Sequence, residues 1–325
     1  MAKSVNWGIL GCGKIAHKFA QDLMKVPDTQ LVAVASRSKE KAKDFGRQYG
    51  VSNCYGSYEA LVNDPTVNAC YIATVHPFHK EITMLCLNHR KAVLCEKPMG
   101  MDQEEVKAMI QRAKEKDVFL MEGIWTRFIP AVGKMLGLIQ SETLGDVRSV
   151  HADFGFLGDQ DRSNRLFNKS LGGGALLDIG IYPLYLSLLV LGYPEDVEAA
   201  AQMTETGVDE SCGMILRHRN GAVSSLHCTF MTDTQIEGWI HGSKGSIKLH
   251  SRFHHPNKVS IYRGGEIEQT YNIPYIGNGY YHEILHVNEC IRLGLKESPK
   301  VMLNDSLNLV KMLDEVREKI GLVYE

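Results

Sequence analysis

The sequence lacks the features that would place it outside ordinary enzyme-sized globular proteins. Its net charge at pH 7 is only −2, so we expect neither nucleic acid nor an anionic membrane as partner. The eight cysteines form no CxxC pair, which disfavours a disulfide framework or zinc knuckle and indicates reduced thiols. The longest apolar stretch, 175–192, contains Asp178 and Pro183 and therefore predicts a core helix rather than a membrane span. With no recognisable secretory signal before the first apolar run, we expect a cytoplasmic protein.

The first part of the chain alternates short apolar runs with helical periodicity. Strands are predicted at 5–10, 31–35, 69–73, 92–95 and 118–121, and helices at 14–24, 39–49, 78–89 and 102–116. Strands separated by helices of this length indicate right-handed crossovers and a parallel sheet. We predict an α/β, doubly wound Rossmann domain that binds a dinucleotide over residues 1–124.

The remaining 125–325 segment has a different texture. Strands are predicted at 148–156, 197–203, 212–217, 222–228, 234–241 and 246–249, and helices at 174–191, 281–293 and 303–320. Short joins such as Arg219-Asn220-Gly221 favour antiparallel pairing. We predict a substrate-binding α+β domain with a large, mostly antiparallel open sheet. The two C-terminal helices fit against either domain.

A G-x-G-x-x-A motif joins the first strand to the first helix. It runs from Gly11 through Gly13, Lys14 and Ile15 to Ala16. The first glycine permits a tight turn, the second lets the backbone approach a pyrophosphate, and the helix N-terminus faces the phosphates. A purely structural turn is the alternative, but the strand–turn–helix context favours nucleotide binding.

The end of the second strand indicates which dinucleotide binds. NAD-binding sites usually place a carboxylate there for the ribose 2′-OH. This chain has Ser36, Arg37 and Ser38, and no carboxylate until Glu40. Arg37 suits a 2′-phosphate, with the serines as further donors, although a solvated loop arginine is the alternative. We predict that NADP(H) is preferred and NAD(H) possible.

Two further motifs carry residues suited to proton transfer. Glu96-Lys97-Pro98 follows a predicted strand, at the sheet edge where doubly wound folds bind ligands. Alone it is a common surface tripeptide, and the sequence leaves open whether the Lys97–Pro98 bond is cis. In the helix after Gly172-Gly173-Gly174, Asp178 and Tyr182 are four residues apart and predicted to share one face. Gly180 between them indicates close packing, and a buried Asp–Tyr pair is the structural alternative.

Taken together, 11–16, 96–98 and 172–182 resemble the Gfo/Idh/MocA oxidoreductases, and the resemblance extends over nearly the whole chain. Segments 92–100, 121–128 and 205–209 are similar to the branch containing dihydrodiol and D-xylose dehydrogenases. The resemblance implies an enzyme that transfers a hydride between NADP(H) and a hydroxyl or carbonyl carbon of a sugar or dihydrodiol, without a metal. A keto-sugar reductase or an inositol or glucose dehydrogenase is the alternative within the family, and a non-catalytic dinucleotide-sensing regulator the alternative outside catalysis.

The same resemblance implies roles for individual residues. Lys97 and Tyr182 would flank the reacting hydroxyl, with Tyr182 exchanging its proton. Asp178 would orient the substrate, while Phe154 and Trp125 would line its pocket. The other cofactor-side residues would be Thr74, His76, His79, Glu96, Lys97, Trp125 and Arg127. A homodimer or a dimer of dimers would form through the open sheet. The charged loop 155–167 is the candidate for substrate specificity.

One motif points to a different class of protein. His282-Glu283-Ile284-Leu285-His286 matches H-E-x-x-H, which can bind zinc on a helix. The extended metalloprotease pattern would need glycine and histidine where Glu289 and Arg292 stand. We therefore interpret these histidines as helix-surface and packing residues, and Phe253-His254-His255 as a loop between strands.

Overall fold

The computed structural model describes residues 4–159, 161 and 163–324. They divide into two compact units. The first contains the chain up to Trp125 together with Tyr275–Leu307, and the second contains Thr126–Pro274 together with the residues from Asn308 onward.

The first unit is built on a six-stranded parallel sheet. Its strands are β1 Val5–Leu10, β2 Thr29–Ala35, β3 Asn53–Tyr55, β4 Ala69–Ile72, β5 Ala92–Glu96 and β6 Leu120–Gly123. They lie in the order β3-β2-β1-β4-β5-β6, with helices α1 Lys14–Leu23, α2 Lys39–Tyr49, α3 Tyr58–Val62, α4 His79–Asn88 and α5 Gln103–Lys116 between them. This confirms the doubly wound fold. Strand order reverses between β1 and β4, where such sheets bind ligands at their carboxyl edge.

The second unit contains an eight-stranded sheet. Its elements are α6 Pro130–Gln140, β7 Val147–Gly155, α7 Ile181–Leu191, β8 Asp196–Met203, β9 Asp209–Arg217, β10 Val223–Thr229, β11 Gly238–Gly242, β12 Gly245–Leu249, β13 Lys258–Arg263 and β14 Glu266–Asn272. The strand order is β14-β13-β12-β11-β7-β10-β9-β8. Only β7 and β10 pair in parallel, so the predicted antiparallel sheet is confirmed.

The predicted core helix packs on this sheet. α7 lies against β7 and β10, and Leu184 and Leu186 are almost fully buried. Among the described residues, one helical stretch, Lys169–Leu191, is long and apolar enough to cross a membrane, and 72% of its apolar window is buried inside the protein. That burial is typical of a core helix.

The C-terminal helices are α8 Tyr280–Arg292 and α9 Leu303–Ile320. α8 belongs to the first unit because its residues bond directly to that unit's first elements. The Asp22 carboxylate accepts the N–H groups of Asn278 and Tyr280 at 2.8 and 2.9 Å, and the Trp7 indole donates to Asn288 at 2.9 Å. The chain returns to the first unit at Tyr275–Leu307, so a single boundary after residue 124 does not separate the two units.

Several elements differ from the predictions. β3, α3, α6 and the β13–β14 hairpin are absent from the predicted set, and the strand predicted at 234–241 begins at Gly238. β14 is an edge strand exposed on both faces, so it carries no apolar alternation. The turn before it, Gly264-Gly265 with φ of +56° and +89°, is the signal that would have revealed this hairpin.

Candidate functional site

The glycine turn of the first unit joins β1 to α1 and leaves open space at the start of the helix. Gly11 has a φ of +99°, and a Cβ there would lie 2.8 Å from the carbonyl oxygen of Ala73. Gly13 caps α1 without a side chain and faces open space. The helix N-terminus therefore has no side-chain cap, and the backbone N–H groups of Lys14, Ile15 and Ala16 are left for a ligand. These residues fit a dinucleotide pyrophosphate.

Arg37 is exposed at the end of β2. Its guanidinium lies over the Phe78 ring, 5.2 Å from the ring centroid, and it has no carboxylate partner within the described part of the chain. The two serines are differently placed. Ser38 caps α2 by accepting the Lys41 N–H at 3.3 Å, and Ser36 accepts the Ser38 N–H at 3.4 Å. Ser38 therefore has a helix-capping role, and Arg37 is the principal candidate to bind a 2′-phosphate.

The loop after β4 lies beside the glycine turn. A Cβ at Gly11 would be 3.2 Å from Thr74 Cγ2, so these two predicted cofactor residues are brought together. The buried Thr74 hydroxyl has no hydrogen-bond partner among the described residues, which fits a polar ligand at this edge. His76 is also buried, and its ring lies 5.8 Å from that of His79.

His79 lies behind this edge rather than on it. Its Nδ1 is 2.8 Å from the Pro98 carbonyl oxygen, and its Nε2 is 3.0 Å from that of Thr74. The side chain is fully buried, and burial lowers its pKa. Since both ring nitrogens face the protein's own backbone, His79 joins the loops after β4 and β5. A direct contact between His79 and a cofactor stays a prediction.

Lys97 follows β5 at the same edge and is half-buried. The Lys97–Pro98 peptide bond is cis. Met99, which follows Pro98, donates its N–H to the carboxylate Oε1 of Glu122 on β6 at 2.8 Å. Glu96, in contrast, accepts a hydrogen bond from the buried Tyr71 hydroxyl, so one of its oxygens faces the interior. The turn that presents Lys97 is therefore fixed from both neighbouring strands.

Glu96, Glu122 and Glu283 are buried in the first unit and form an acid cluster. Burial, together with the charge of Glu96, raises the pKa of Glu122 to about 7. Burial also raises the pKa of Glu283 well above its usual range. The charge of Lys97 opposes the shift at Glu122, so Lys97 acts electrostatically on this cluster.

Trp125 and Arg127 follow β6 in a single 3-10 turn. The Trp125 ring stacks on Tyr280 with centroids 4.6 Å apart and is 8% exposed. Arg127 is half-buried and belongs to the second unit. Their contacts with a cofactor stay predictions.

The helix carrying Asp178 and Tyr182 starts irregularly. Leu176–Gly180 is π-helical and runs directly into α7. The expected regular α-helix is therefore wrong at its start, and a four-residue spacing no longer fixes one shared face. π-helical turns are frequent at functional sites. The close packing predicted at Gly180 is confirmed, since a Cβ there would lie 2.8 Å from Cys228 Sγ.

Tyr182 lies in an aromatic cluster of the second unit. Its ring centroid is 5.7 Å from that of Phe154 and 4.8 Å from that of His254. Phe154 and His254 stack at 4.3 Å. Tyr182 is only 7% exposed. The structure thus brings together two predicted substrate residues, and adds His254, which the sequence placed in a loop without a role.

Asp178 forms an ion pair with Arg165. Arg165 Nη2 lies 2.9 Å from Asp178 Oδ1, and both side chains are partly buried. Arg165 Nη1 is buried and has no hydrogen-bond partner among the described residues. It comes from the predicted specificity loop, of which residues 160 and 162 lie outside the described residues. Within the described part of the chain, the pair therefore has one guanidinium nitrogen, Nη1, without a partner.

Asp209 holds the beginning of this helix. Its Oδ2 accepts the Leu176 N–H at 2.7 Å, and the side chain is fully buried. Burial raises its pKa from 3.8 to about 6, although backbone N–H bonds oppose that shift. The sequence carries no local signal for this cap because Asp209 and Leu176 are far apart along the chain.

This carboxyl should make stability fall with rising pH. The native state holds its proton up to about pH 6, whereas the unfolded chain releases it near pH 3.8. The free energy of unfolding should therefore lose about 3 kcal/mol through Asp209 between pH 4 and 7. Urea unfolding of wild type and Asp209→Asn should show curves that diverge over this range, whereas Asp196→Asn, at an exposed ion pair, should run parallel to wild type. Parallel curves for Asp209→Asn would contradict the assignment.

The H-E-x-x-H segment lies on α8 with structural partners. His286 Nε2 is 2.8 Å from the Ser298 hydroxyl, and His282 Nε2 accepts the Ile276 N–H at 3.2 Å. Glu283, between them, belongs to the acid cluster. These contacts are the packing roles that the sequence analysis favoured.

Comparison with known proteins gives the same family over the whole chain. Residues 5–124 match the family described as "Oxidoreductase family, NAD-binding Rossmann fold", and residues 132–248 match the "GFO/IDH/MocA C-terminal domain". The trans-1,2-dihydrobenzene-1,2-diol dehydrogenase of Mus musculus is 37% identical, covering 99% of this chain and 98% of the mouse protein.

Two solved structures have the same fold over 98% of both chains. They are a 3-ketoreductase from Actinomadura kijaniata in complex with NADP and TDP-benzene, with a TM-score of 0.88 and 25% identity, and an aldose-aldose oxidoreductase from Caulobacter crescentus complexed with glycerol, with a TM-score of 0.88 and 26% identity. The chain belongs to the Gfo/Idh/MocA family of nicotinamide-dinucleotide-dependent oxidoreductases and is a dehydrogenase acting on CH–OH groups.

Proposed function

We propose that this enzyme transfers a hydride between NADP(H) and a hydroxyl-bearing carbon of a sugar or a dihydrodiol. The observation that carries the proposal is the arrangement in the second unit. A nearly buried tyrosine, Tyr182, packs among aromatic rings, and Asp178, which pairs with Arg165, lies four residues earlier in the π-helical turn that runs into the same helix. A phenol carried on the same helical segment as a carboxylate suits proton exchange with a substrate hydroxyl.

The aromatic and polar groups suit this substrate class. The rings of Phe154 and His254 offer flat apolar surfaces to the C–H face of a pyranose or to the ring of a cyclic diol. Asp178 accepts hydrogen bonds from hydroxyl groups. The activities after which the relatives are named, dihydrodiol dehydrogenase and aldose-aldose oxidoreductase, support the same two classes.

The residues divide the chemistry between them. Tyr182 removes the hydroxyl proton during oxidation and returns it during reduction, and Lys97 donates a hydrogen bond to a substrate oxygen. When bound, the nicotinamide supplies the hydride acceptor or donor. Asp178 orients the substrate, while Trp125 and the loop at Thr74 and His76 line the cofactor side. The protein's contribution is orientation and electrostatics.

The preference for NADP(H) rests on Arg37. A guanidinium pairs with a phosphate through parallel hydrogen bonds, and Phe78 beneath it restricts its orientation. The β2 end holds no acidic residue that would accept from a ribose 2′-OH before Glu40.

Initial rates distinguish the substrate classes. NADP⁺ should be reduced with D-xylose or with trans-1,2-dihydrobenzene-1,2-diol, and the better substrate identifies the class. Turnover only of a keto-sugar with NADPH would instead make the enzyme a reductase. Turnover only of inositol or glucose would move it to another branch of the family. Binding of NADPH with no turnover of any of these would favour the dinucleotide-sensing regulator.

We also propose that the protein is a cytoplasmic homodimer or dimer of dimers joined through the second unit's sheet. All eight cysteines have free thiols, which suits a reducing compartment. On the sheet, the ring centroids of Trp239 and Tyr262 are 4.9 Å apart, and those of His151 and His241 are 5.2 Å apart. Ile215, on β9 of the same sheet, is 48% exposed. Such a part-apolar face suits a second copy of the chain.

The molar mass in solution, measured by light scattering after size-exclusion chromatography, tests the assembly. A mass of two or four chains is expected for wild type. Trp239→Glu should shift the mass towards one chain, because a charge would have to be buried between the copies. A single-chain mass for wild type would contradict the proposal.

A further inference from the structure

The segment 321–324 is anchored to the second unit. α9 ends at Ile320, Gly321 has a φ of +69°, and the Leu322 N–H turns back to the Arg317 carbonyl oxygen at 2.9 Å. Leu322 is 3% exposed. This closure fixes the direction of the following residues.

Tyr324 reaches the glycine loop that precedes the site helix. Its hydroxyl donates a hydrogen bond to the Gly173 carbonyl oxygen at 2.5 Å, and its ring lies 5.5 Å from the Arg317 guanidinium. A Cβ at Gly174 would lie 3.0 Å from the same hydroxyl. Burial raises the pKa of the Tyr324 phenol well above its usual range, so the phenol stays a neutral donor.

The loop that Tyr324 holds lies directly against the backbone of Arg165. A Cβ at Gly173 would be 2.7 Å from the Arg165 carbonyl oxygen and 2.6 Å from that of Leu166. Gly174 also donates its N–H to Leu166 at 2.9 Å. A shift of Gly173 therefore moves the turn at Arg165.

Arg165 in turn contacts Asp178, the residue proposed to orient the substrate. Its Nη2 holds Asp178 at 2.9 Å, and its buried Nη1 has no partner among the described residues. A buried donor of this kind usually has a partner, which a substrate oxygen beside Asp178 would supply.

We propose that Tyr324 is a positioning residue for substrate binding. It acts through Gly173 on Arg165, and Arg165 donates a hydrogen bond to a substrate oxygen while it holds Asp178. The proposal rests on the proposed function of Asp178. Its chemical content is a neutral phenol that orders a loop, with no part in proton transfer.

Tyr324→Phe removes the hydroxyl and keeps the ring. Since one net hydrogen bond is lost, KM for the substrate should rise about 3- to 10-fold. We expect kcat and the Kd for NADPH to stay within about twofold of wild type, because neither depends on the Arg165 turn. Tyr193→Phe is the matched control. It removes a hydroxyl that donates to Glu315 on α9 at 2.5 Å, and its KM should be unchanged.

A double-mutant cycle tests the route through Arg165. Arg165→Lys should raise KM by a similar factor because lysine lacks the second guanidinium donor. In the double variant the two factors should not multiply, since both changes act on one contact. Multiplying factors, or an unchanged KM in Tyr324→Phe, would overturn the proposal.

Hydrogen exchange separates this inference from the proposed function. Amides of residues 166–176 should exchange faster in Tyr324→Phe than in wild type or Tyr193→Phe, whatever the substrate is. If wild type turns over none of the substrates, the proposed function fails, and the exchange rates still decide the role of Tyr324. Unchanged exchange in this loop would overturn it.

Discussion

Replacing Tyr182 with phenylalanine should lower kcat by roughly 10²- to 10⁴-fold, the usual contribution of a positioned general acid or base. The ring contacts of Tyr182 with Phe154 and His254 do not need the hydroxyl, so the fold should survive. The Kd for NADPH should stay within about twofold of wild type, because the glycine turn and Arg37 lie in the other unit. Steady-state rates and a nucleotide titration measure both quantities.

Tyr185→Phe is the control for this change. Tyr185 is buried on the same helix, α7, and has no assigned part in the reaction. Its kcat should remain near that of wild type. An unchanged kcat in Tyr182→Phe would remove Tyr182 from its role, and an equal loss in both variants would indicate damage to α7 rather than to proton transfer.

Replacing Arg37 with alanine should weaken NADPH binding by roughly 10- to 100-fold, as expected for loss of charged hydrogen bonds to a phosphate. NADH lacks that phosphate, so its Kd should change by less than about threefold. Arg37→Lys should fall between the two because lysine keeps the charge and loses the paired geometry. Fluorescence titration with each nucleotide measures the effect.

Arg47→Ala provides the matched control. Arg47 is exposed on α2 and pairs with Asp44 at 2.8 Å. Its loss should leave both Kd values near wild type. Equal weakening of NADPH and NADH in Arg37→Ala would contradict the 2′-phosphate assignment.

The first unit was predictable because its determinants are local. The glycine turn at 11–16 needs only neighbouring residues to form, and the βαβ periodicity fixes a parallel sheet. The turn after β5 was singled out from Glu96-Lys97-Pro98 together with the other motifs of the resemblance. The contacts that support this turn, from His79 to Pro98 and from Glu122 to Met99, were not predicted, because each partner lies on a neighbouring strand or helix.

The second unit shows where sequence reasoning ended. Asp178 and Tyr182 were singled out by their spacing and Phe154 through the resemblance, and the structure brings Tyr182 and Phe154 together. Arg165, Asp209 and His254 reach the same helix or ring cluster from distant parts of the chain. Such contacts depend on tertiary packing, which the hydrophobic periodicity of the sequence does not predict. The π-helical turn at Leu176–Gly180 likewise arises where Gly180 packs closely on Cys228.

Titration with NADPH and NADH, followed by mixing NADP⁺ with D-xylose and recording the absorbance of the reduced nicotinamide, tests the central claim most directly. We expect NADPH to bind more tightly than NADH, and the absorbance of the reduced nicotinamide to rise only when D-xylose is present. If neither nucleotide binds, the claim that this chain is a nicotinamide-dependent dehydrogenase is contradicted.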